Sequence, residues 1–233
     1  MKNITYIIFL FLFAFLLSCK NEAQNKTKQV SLQNVDPIEV PMENGLARAY
    51  FASGCFWCVE AVYESVIGVD EVISGYSGGH TQSPTYEASN TGRTGHAEAV
   101  EVIYDPEKVS YSELLDVYFN SQNPTQMNGQ GPDYGSQYRS IIFYQNEEQK
   151  QIALSKKEEY AKKLNANIAA EIVPFQKFWK AEAYHQDFEK RNPNNPYIRN
   201  VSKKRLEQFK KSCPLLVKGN VQEVIEQVNK DKQ

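Results

Sequence analysis

The chain has 233 residues, 41% of them hydrophobic and 23% charged, and a formal net charge of −2. That length and balance suit one globular domain with short extensions, and the near-neutral charge excludes a broad basic field for nucleic acid. Its four cysteines, Cys19, Cys55, Cys58 and Cys213, are too few for a disulfide-dense scaffold.

The chain opens with Lys2 and an almost wholly apolar run from Ile4 to Leu17. The run is too short to span a bilayer comfortably, which favours a removed signal over a permanent helix. Its end, "LLSC" at residues 16–19, is similar to the bacterial lipoprotein processing signal. That similarity implies a leader over residues 1–18, cleavage before Cys19 and acylation of Cys19. The mature chain would then be an exported lipoprotein anchored in the bacterial cell envelope, facing the periplasm. Residues 19–45 hold many Asn, Gln, Lys and Glu and few large apolar groups, which reads as a flexible tether. An arm docked along the domain is the alternative.

A catalytic domain is expected over residues 46–216. "LARAYFAS" at 46–53 predicts a strand, and apolar residues at 56, 59, 63 and 66 predict a helix over 55–66, with Ser53 or Gly54 as its cap. Residues 69–76 read as the next strand. The Gly-, Ser- and Thr-rich stretch over 75–96 reads as a functional loop. "HAEAVEVIY" at 96–104 is a strong strand candidate, ended by Asp105-Pro106. An amphipathic helix over 110–121, a polar loop over 123–137 and a strand over 138–144 follow. Beyond them come a charged helix over 146–164, a strand over 169–175 and a short helix over 181–190. Helices over 202–211 and 221–230 close the chain, the second in a tail over 217–233. With no internal repeat, this mixture indicates an α+β two-layer sandwich, helices packed on one mixed sheet.

The candidate chemistry centres on "ASGCFWCVE" at 52–60. A thiol at a helix N-terminus feels the positive end of the helix dipole and unpaired N–H groups, so Cys55 is expected to be an acidic nucleophile. Cys58 lies one turn on, within disulfide reach if the turn relaxes, which suggests redox chemistry. Structural zinc would need two further ligands, and only Cys213 and three histidines remain, so no metal is assigned. A bridge closing so small a loop would stabilise little by itself. Phe56 and Trp57 point about 100° apart on a helix, so they cannot share one core spot. One of them is expected near the surface, walling an apolar pocket suited to a methyl group. On the strand at 96–104, Glu98 shares a face with His96, Val100, Val102 and Tyr104. A carboxyl among such neighbours resists ionising and can donate a proton.

Five stretches carry a specific resemblance: "GCFWCVE" at 54–60, "GYSGG" at 75–79, "PTYEAS" at 84–89, "TGHAEAVEVIYDP" at 94–106 and "DYGSQYRSIIFY" at 133–144. In this order and spacing they resemble the A-type peptide methionine sulfoxide reductases, over about Ala49 to Leu216. The resemblance implies a ferredoxin-like sandwich and the reduction of methionine S-sulfoxide, free and in proteins. It makes Cys55 the nucleophile and Phe56 and Trp57 the wall for the substrate's methyl group. Glu98 becomes the acid that protonates the sulfoxide oxygen. Tyr86 and Tyr138 become hydroxyls that bind that oxygen, and Asp133 a polar residue lining the same site.

The implied cycle leaves Cys55 as a sulfenic acid, which a second thiol converts to a disulfide. An external thioredoxin-like dithiol then restores the enzyme, and no bound cofactor is needed. The chain departs from many relatives in lacking a Gly-rich C-terminal tail with resolving cysteines. Cys58 is therefore the expected resolving thiol, with Cys213 as the alternative. Neither His96 nor His185 acquires a catalytic part, and His185 reads as structural. An exported site would need a membrane-associated, thioredoxin-like electron source. The rival readings are a thioredoxin-type thiol–disulfide oxidoreductase and a non-enzymatic lipoprotein that binds peptides through its aromatic residues.

Overall fold

The computed structural model describes residues 35–220. The leader, Cys19, residues 19–34 of the expected tether and the helix expected over 221–230 lie outside the described residues.

The first half of the domain comprises β1 (Ala47–Ser53), α1 (Phe56–Glu64), β2 (Val69–Ser77), α2 (Tyr86–Asn90), β3 (Ala97–Tyr104) and α3 (Tyr111–Asn120). The second half comprises β4 (Gly129–Gln130), β5 (Asp133–Tyr134), β6 (Ser140–Tyr144), α4 (Glu147–Leu164), β7 (Glu171–Pro174), β8 (Phe178–Lys180), α5 (Phe188–Arg191) and α6 (Lys203–Ser212). Six strands form one sheet in the order β7-β6-β1-β3-β2-β8, with β6 and β7 its parallel pair. The inner four, β6-β1-β3-β2, are antiparallel throughout and have the ferredoxin-like order, as expected.

Strand alternation divides the apolar residues between the two faces of this sheet. Phe51, Val100, Val102 and Ile142 meet Val59, Val62 and Tyr63 of α1 and Leu114 and Tyr118 of α3. The opposite face carries Tyr50, Ala97, Ala99 and Phe143, and is covered by Phe175, Phe178 and Val40. Val40 belongs to an arm that the sequence assigns to the tether. Here Ile38 N–H donates to the Phe175 carbonyl at 2.8 Å and Val40 N–H to Gln145 Oε1 at 2.9 Å. Residues 35–45 are thus docked on the domain, because they cover apolar surface that β1 and β7 would otherwise expose. At the other end Val217 is buried and bridges Val66, so the domain also extends past residue 216.

The helix starts follow local chemistry. Ser110 and Glu113 form a reciprocal capping box for α3, and the Asn146 side chain accepts from Gln149 N–H to start α4. Three elements depart from expectation. Thr85 caps a single helical turn, α2, inside the stretch read as loop. The short strand β8 pairs with β2 where Gly75 lies, and a Cβ on Gly75 would sit 2.3 Å from Phe178 Cζ. The helix expected over 181–190 is reduced to Phe188–Arg191. There, Glu182 accepts from Tyr76 OH and Tyr86 N–H, and Asp187 N–H donates to Glu60, so bonds to distant elements hold the backbone off the helical path. Among the described residues no helix is long and apolar enough to cross a membrane.

Candidate active site

The site forms where β1 turns into α1. Gly54 makes the turn at φ +87°, and a Cβ there would lie 2.5 Å from Gln130 Cβ. Cys55 itself, with extended backbone, caps α1, in place of Ser53 or Gly54, and its side chain makes no capping hydrogen bond. Phe56, the first residue of the helix, donates its N–H to Glu98 Oε2 at 3.0 Å.

Glu98 stands on the helix-facing side of β3, opposite Tyr76, and is 2% exposed. Among the described residues it makes no ion pair. Burial pushes its carboxyl up to about 8, against the Phe56 N–H, with nearby Asp133 and Cys58 adding to the rise. At neutral pH it therefore holds a proton beside the Cys55 sulfur.

The two thiols are not equivalent. Burial pushes the Cys55 thiol well up, and Cys58 and Glu98 add to the shift. This overturns the expectation of an acidic Cys55. The leading N–H group of α1, which would have supported a thiolate, is taken by Glu98, and the sulfur is buried. Cys58 is pushed the other way, down, by its neighbours Cys55, Arg205, Ser202 and Tyr197, with burial opposing. Both thiols are free.

The remaining expected residues gather around this pair. Glu98 and Cys55 are charge neighbours of both the Tyr86 and the Tyr138 hydroxyl. Tyr86 opens α2 and Tyr138 ends a 3-10 turn, Ser136–Tyr138. Asp133, on β5, accepts from Tyr197 OH, which also lies 3.7 Å from Cys58 Sγ. The two rings of the motif do separate. Phe56 is fully buried, 4.8 Å from His185 and 6.5 Å from Tyr86 between ring centroids. Trp57 stays partly exposed, stacked on Phe188 at 3.7 Å, with its Nε1–H donating to His185 Nδ1 at 3.0 Å. His185 thus orients the indole, a structural part as expected.

Cys213 does not join the site. It ends α6, close to Asp116 and Lys163. Sequence reasoning missed Tyr197 and Arg205, which lie in no recognised stretch and reach the thiols only through the fold. A separate group of acids, Glu60 and Glu64 of α1 with Asp187 at the start of α5, has Lys190 at 2.5 Å from Glu64 and 2.9 Å from Asp187.

A nucleophilic sulfur, a protonated carboxyl and two phenolic hydroxyls around one point suit reduction of a polar S–O bond. The comparisons agree. The family model described as peptide methionine sulfoxide reductase matches residues 47–214. The chain is 49% identical over 166 residues to the peptide methionine sulfoxide reductase MsrA of Nautilia profundicola, covering 71% of this chain and 95% of that one. It is 47% identical to the MsrA of Sulfolobus acidocaldarius, covering 71% and 94%. Among solved structures, methionine sulfoxide reductase A of Corynebacterium diphtheriae superposes with a TM-score of 0.63 at 34% identity, covering 70% of this chain and 84% of that one. Mxr1 from Saccharomyces cerevisiae in reduced form also gives 0.63, at 30% identity, covering 69% and 93%.

Proposed function

The chain belongs to the peptide methionine sulfoxide reductase family, and we propose on that premise how its own residues return methionine sulfoxide to methionine. The observation that carries the assignment is Glu98, buried without a cation and bonded to the N–H that follows Cys55. The sulfoxide oxygen, a strong acceptor, takes hydrogen bonds from the Glu98 carboxyl and from the Tyr86 and Tyr138 hydroxyls. As the Cys55 sulfur attacks, the Glu98 proton passes to that oxygen, so no naked oxyanion develops. The substrate methyl lies against Trp57, with Phe56 backing the pocket from below. Asp133, fixed by Tyr197, lines the polar side. The S–O bond breaks, methionine leaves and Cys55 keeps the oxygen as a sulfenic acid.

Cys58 then attacks the Cys55 sulfur, a disulfide forms and water departs. Cys213 has Asp116 and Lys163 as its charged neighbours, neither of them a site residue, which supports Cys58 in this part. An external dithiol of thioredoxin type reopens the bridge by exchange, and the protein needs no bound cofactor for this cycle. The test is turnover of the two epimers of a methionine sulfoxide peptide with dithiothreitol. Methionine is expected from the S epimer alone and in no amount from Cys55→Ser. Equal rates on both epimers, or an active Cys55→Ser enzyme, would overturn the reading. A thioredoxin-type oxidoreductase would instead reduce insulin disulfides.

Export and lipid attachment belong to the same proposal and rest on the sequence of residues 1–19. The enzyme would repair oxidised exported proteins from a lipid anchor on Cys19, fed by a membrane-associated reductant. Labelling with a radioactive fatty acid should mark the wild type and leave Cys19→Ala unmarked.

A further inference from the structure

We infer that Glu60 is a positioning residue for the substrate: its buried carboxyl fastens the backbone of residues 185–188 to α1, and so sets the Trp57 indole against which the sulfoxide's methyl group lies. The inference rests on the reaction proposed above and adds to it a residue that works through Trp57.

Trp57, Glu60 and Glu64 fall at i, i+3 and i+7 and share one face of α1. Each meets the segment that runs from His185 to Lys190. The Trp57 indole donates to His185 Nδ1 at 3.0 Å and stacks on Phe188 at 3.7 Å. Glu60 Oε1 accepts from the Asp187 N–H at 2.7 Å. Glu64 meets Lys190 at 2.5 Å. The middle contact differs from the outer two. Trp57 and Glu64 meet side chains, which can turn. Glu60 holds the backbone itself, between the two residues that carry the indole. It is also buried, at 2% exposed, whereas the Lys190 side chain keeps 60% of its surface open to solvent, which screens its ion pair.

The backbone at that point needs holding. Asp187 has φ +52°, a left-handed conformation that a non-glycine residue keeps only when its neighbours enforce it. Its own side chain makes no capping bond to α5. Glu60 gives its N–H an acceptor, and Glu60 is fixed in turn by Ser74 of β2, whose hydroxyl donates to Oε2 at 2.7 Å. Gln186 doubles the link to β2: it accepts from the Ser74 N–H and donates to the Ser74 carbonyl, both at 3.0 Å. Four residues earlier, Glu182 accepts from the Tyr86 N–H at 2.9 Å. One segment therefore sets the indole at one end and the helical turn that carries Tyr86 at the other. Both bonds to Glu60 come from neutral donors, so what it supplies is a fixed span between Ser74 and Asp187.

Single-turnover methionine release without reductant, followed over a range of sulfoxide peptide concentrations, reads the pocket apart from the chemistry. Glu60→Met removes both acceptors at similar volume. It should raise the half-saturating peptide concentration about tenfold, as a lost methyl contact does, and leave the saturating rate within about threefold. Glu60→Gln is the rescue, since its amide can accept from Asp187 and donate to Ser74. In Trp57→Ala, which has no indole left to position, Glu60→Met should change half-saturation by less than about twofold. In a Trp179→Phe background Trp57 is the one remaining tryptophan, and Glu60→Met should raise its quenching by acrylamide. An equal rise in half-saturation with and without Trp57 overturns the inference, because Glu60 then acts elsewhere. So does folded Glu60→Met with wild-type half-saturation or unchanged quenching. If Glu60→Met does not fold, Glu60→Asp, one methylene short of spanning both partners, takes its place in the same cycle. If wild-type enzyme releases no methionine, the proposed function fails, and the quenching of Trp57 alone decides the inference.

Discussion

Glu98 and Glu101 stand three residues apart on β3, on opposite faces of one sheet. On the face away from the helices, Glu101 accepts from Tyr50 OH at 2.6 Å and has Arg48 Nε at 3.6 Å. On the helix face, Glu98 has one backbone N–H and no cation. The two carboxyls differ first in burial and then in counter-charge: Glu98 is 2% exposed, whereas the Glu101 side chain keeps 16% of its surface open to solvent. A half-buried acid given a cation and a hydroxyl becomes part of the scaffold. A buried acid left without a cation keeps its proton and becomes a donor.

Glu98→Gln removes the transferable proton while keeping the shape. It should lower methionine formation about 10²–10⁴-fold with an unchanged circular dichroism spectrum. A loss within twofold would break the comparison outright. The wild-type rate should also fall above pH 8, towards about tenfold per unit, as Glu98 releases its proton. That falling limb should vanish in Glu98→Gln and persist in Glu101→Gln. Tyr138→Phe removes one donor of the three around the oxygen and should slow single-turnover methionine release by up to about a hundredfold. Glu101→Gln should leave turnover within about twofold and lower the melting temperature by a few degrees, for a loss of about 1 kcal/mol. Smallest of all, Cys213→Ser should leave steady-state turnover with dithiothreitol unchanged.

Most of the site was legible because its residues sit in short stretches whose chemistry is local. Cys55 and Cys58 fall in one turn, and Glu98 falls on the apolar side of an alternating strand. The helix starts at Ser110 and Asn146 were equally readable, since a cap acts within four residues. The segment over 181–190 was not. Its helical pattern lost to hydrogen bonds from Tyr76, Tyr86 and Glu60, which lie about a hundred residues away in the chain. The strand β8 is three residues long and exists only as an edge to β2.

From the order of its residues alone this protein has a mixed sheet with helices, a thiol pair opening a helix, and an acid among apolar neighbours. Those follow from periodicity and spacing, which are properties of the chain within a few residues. What surrounds the two sulfurs was decided by the fold. Glu98 reaches the helix start across 42 residues, Tyr197 reaches Cys58 across 139, and Arg205 reaches Ser53 across 152. Proton affinity in a buried site is set by the solvent excluded and the charges left nearby, and both are supplied by parts of the chain that meet only after folding.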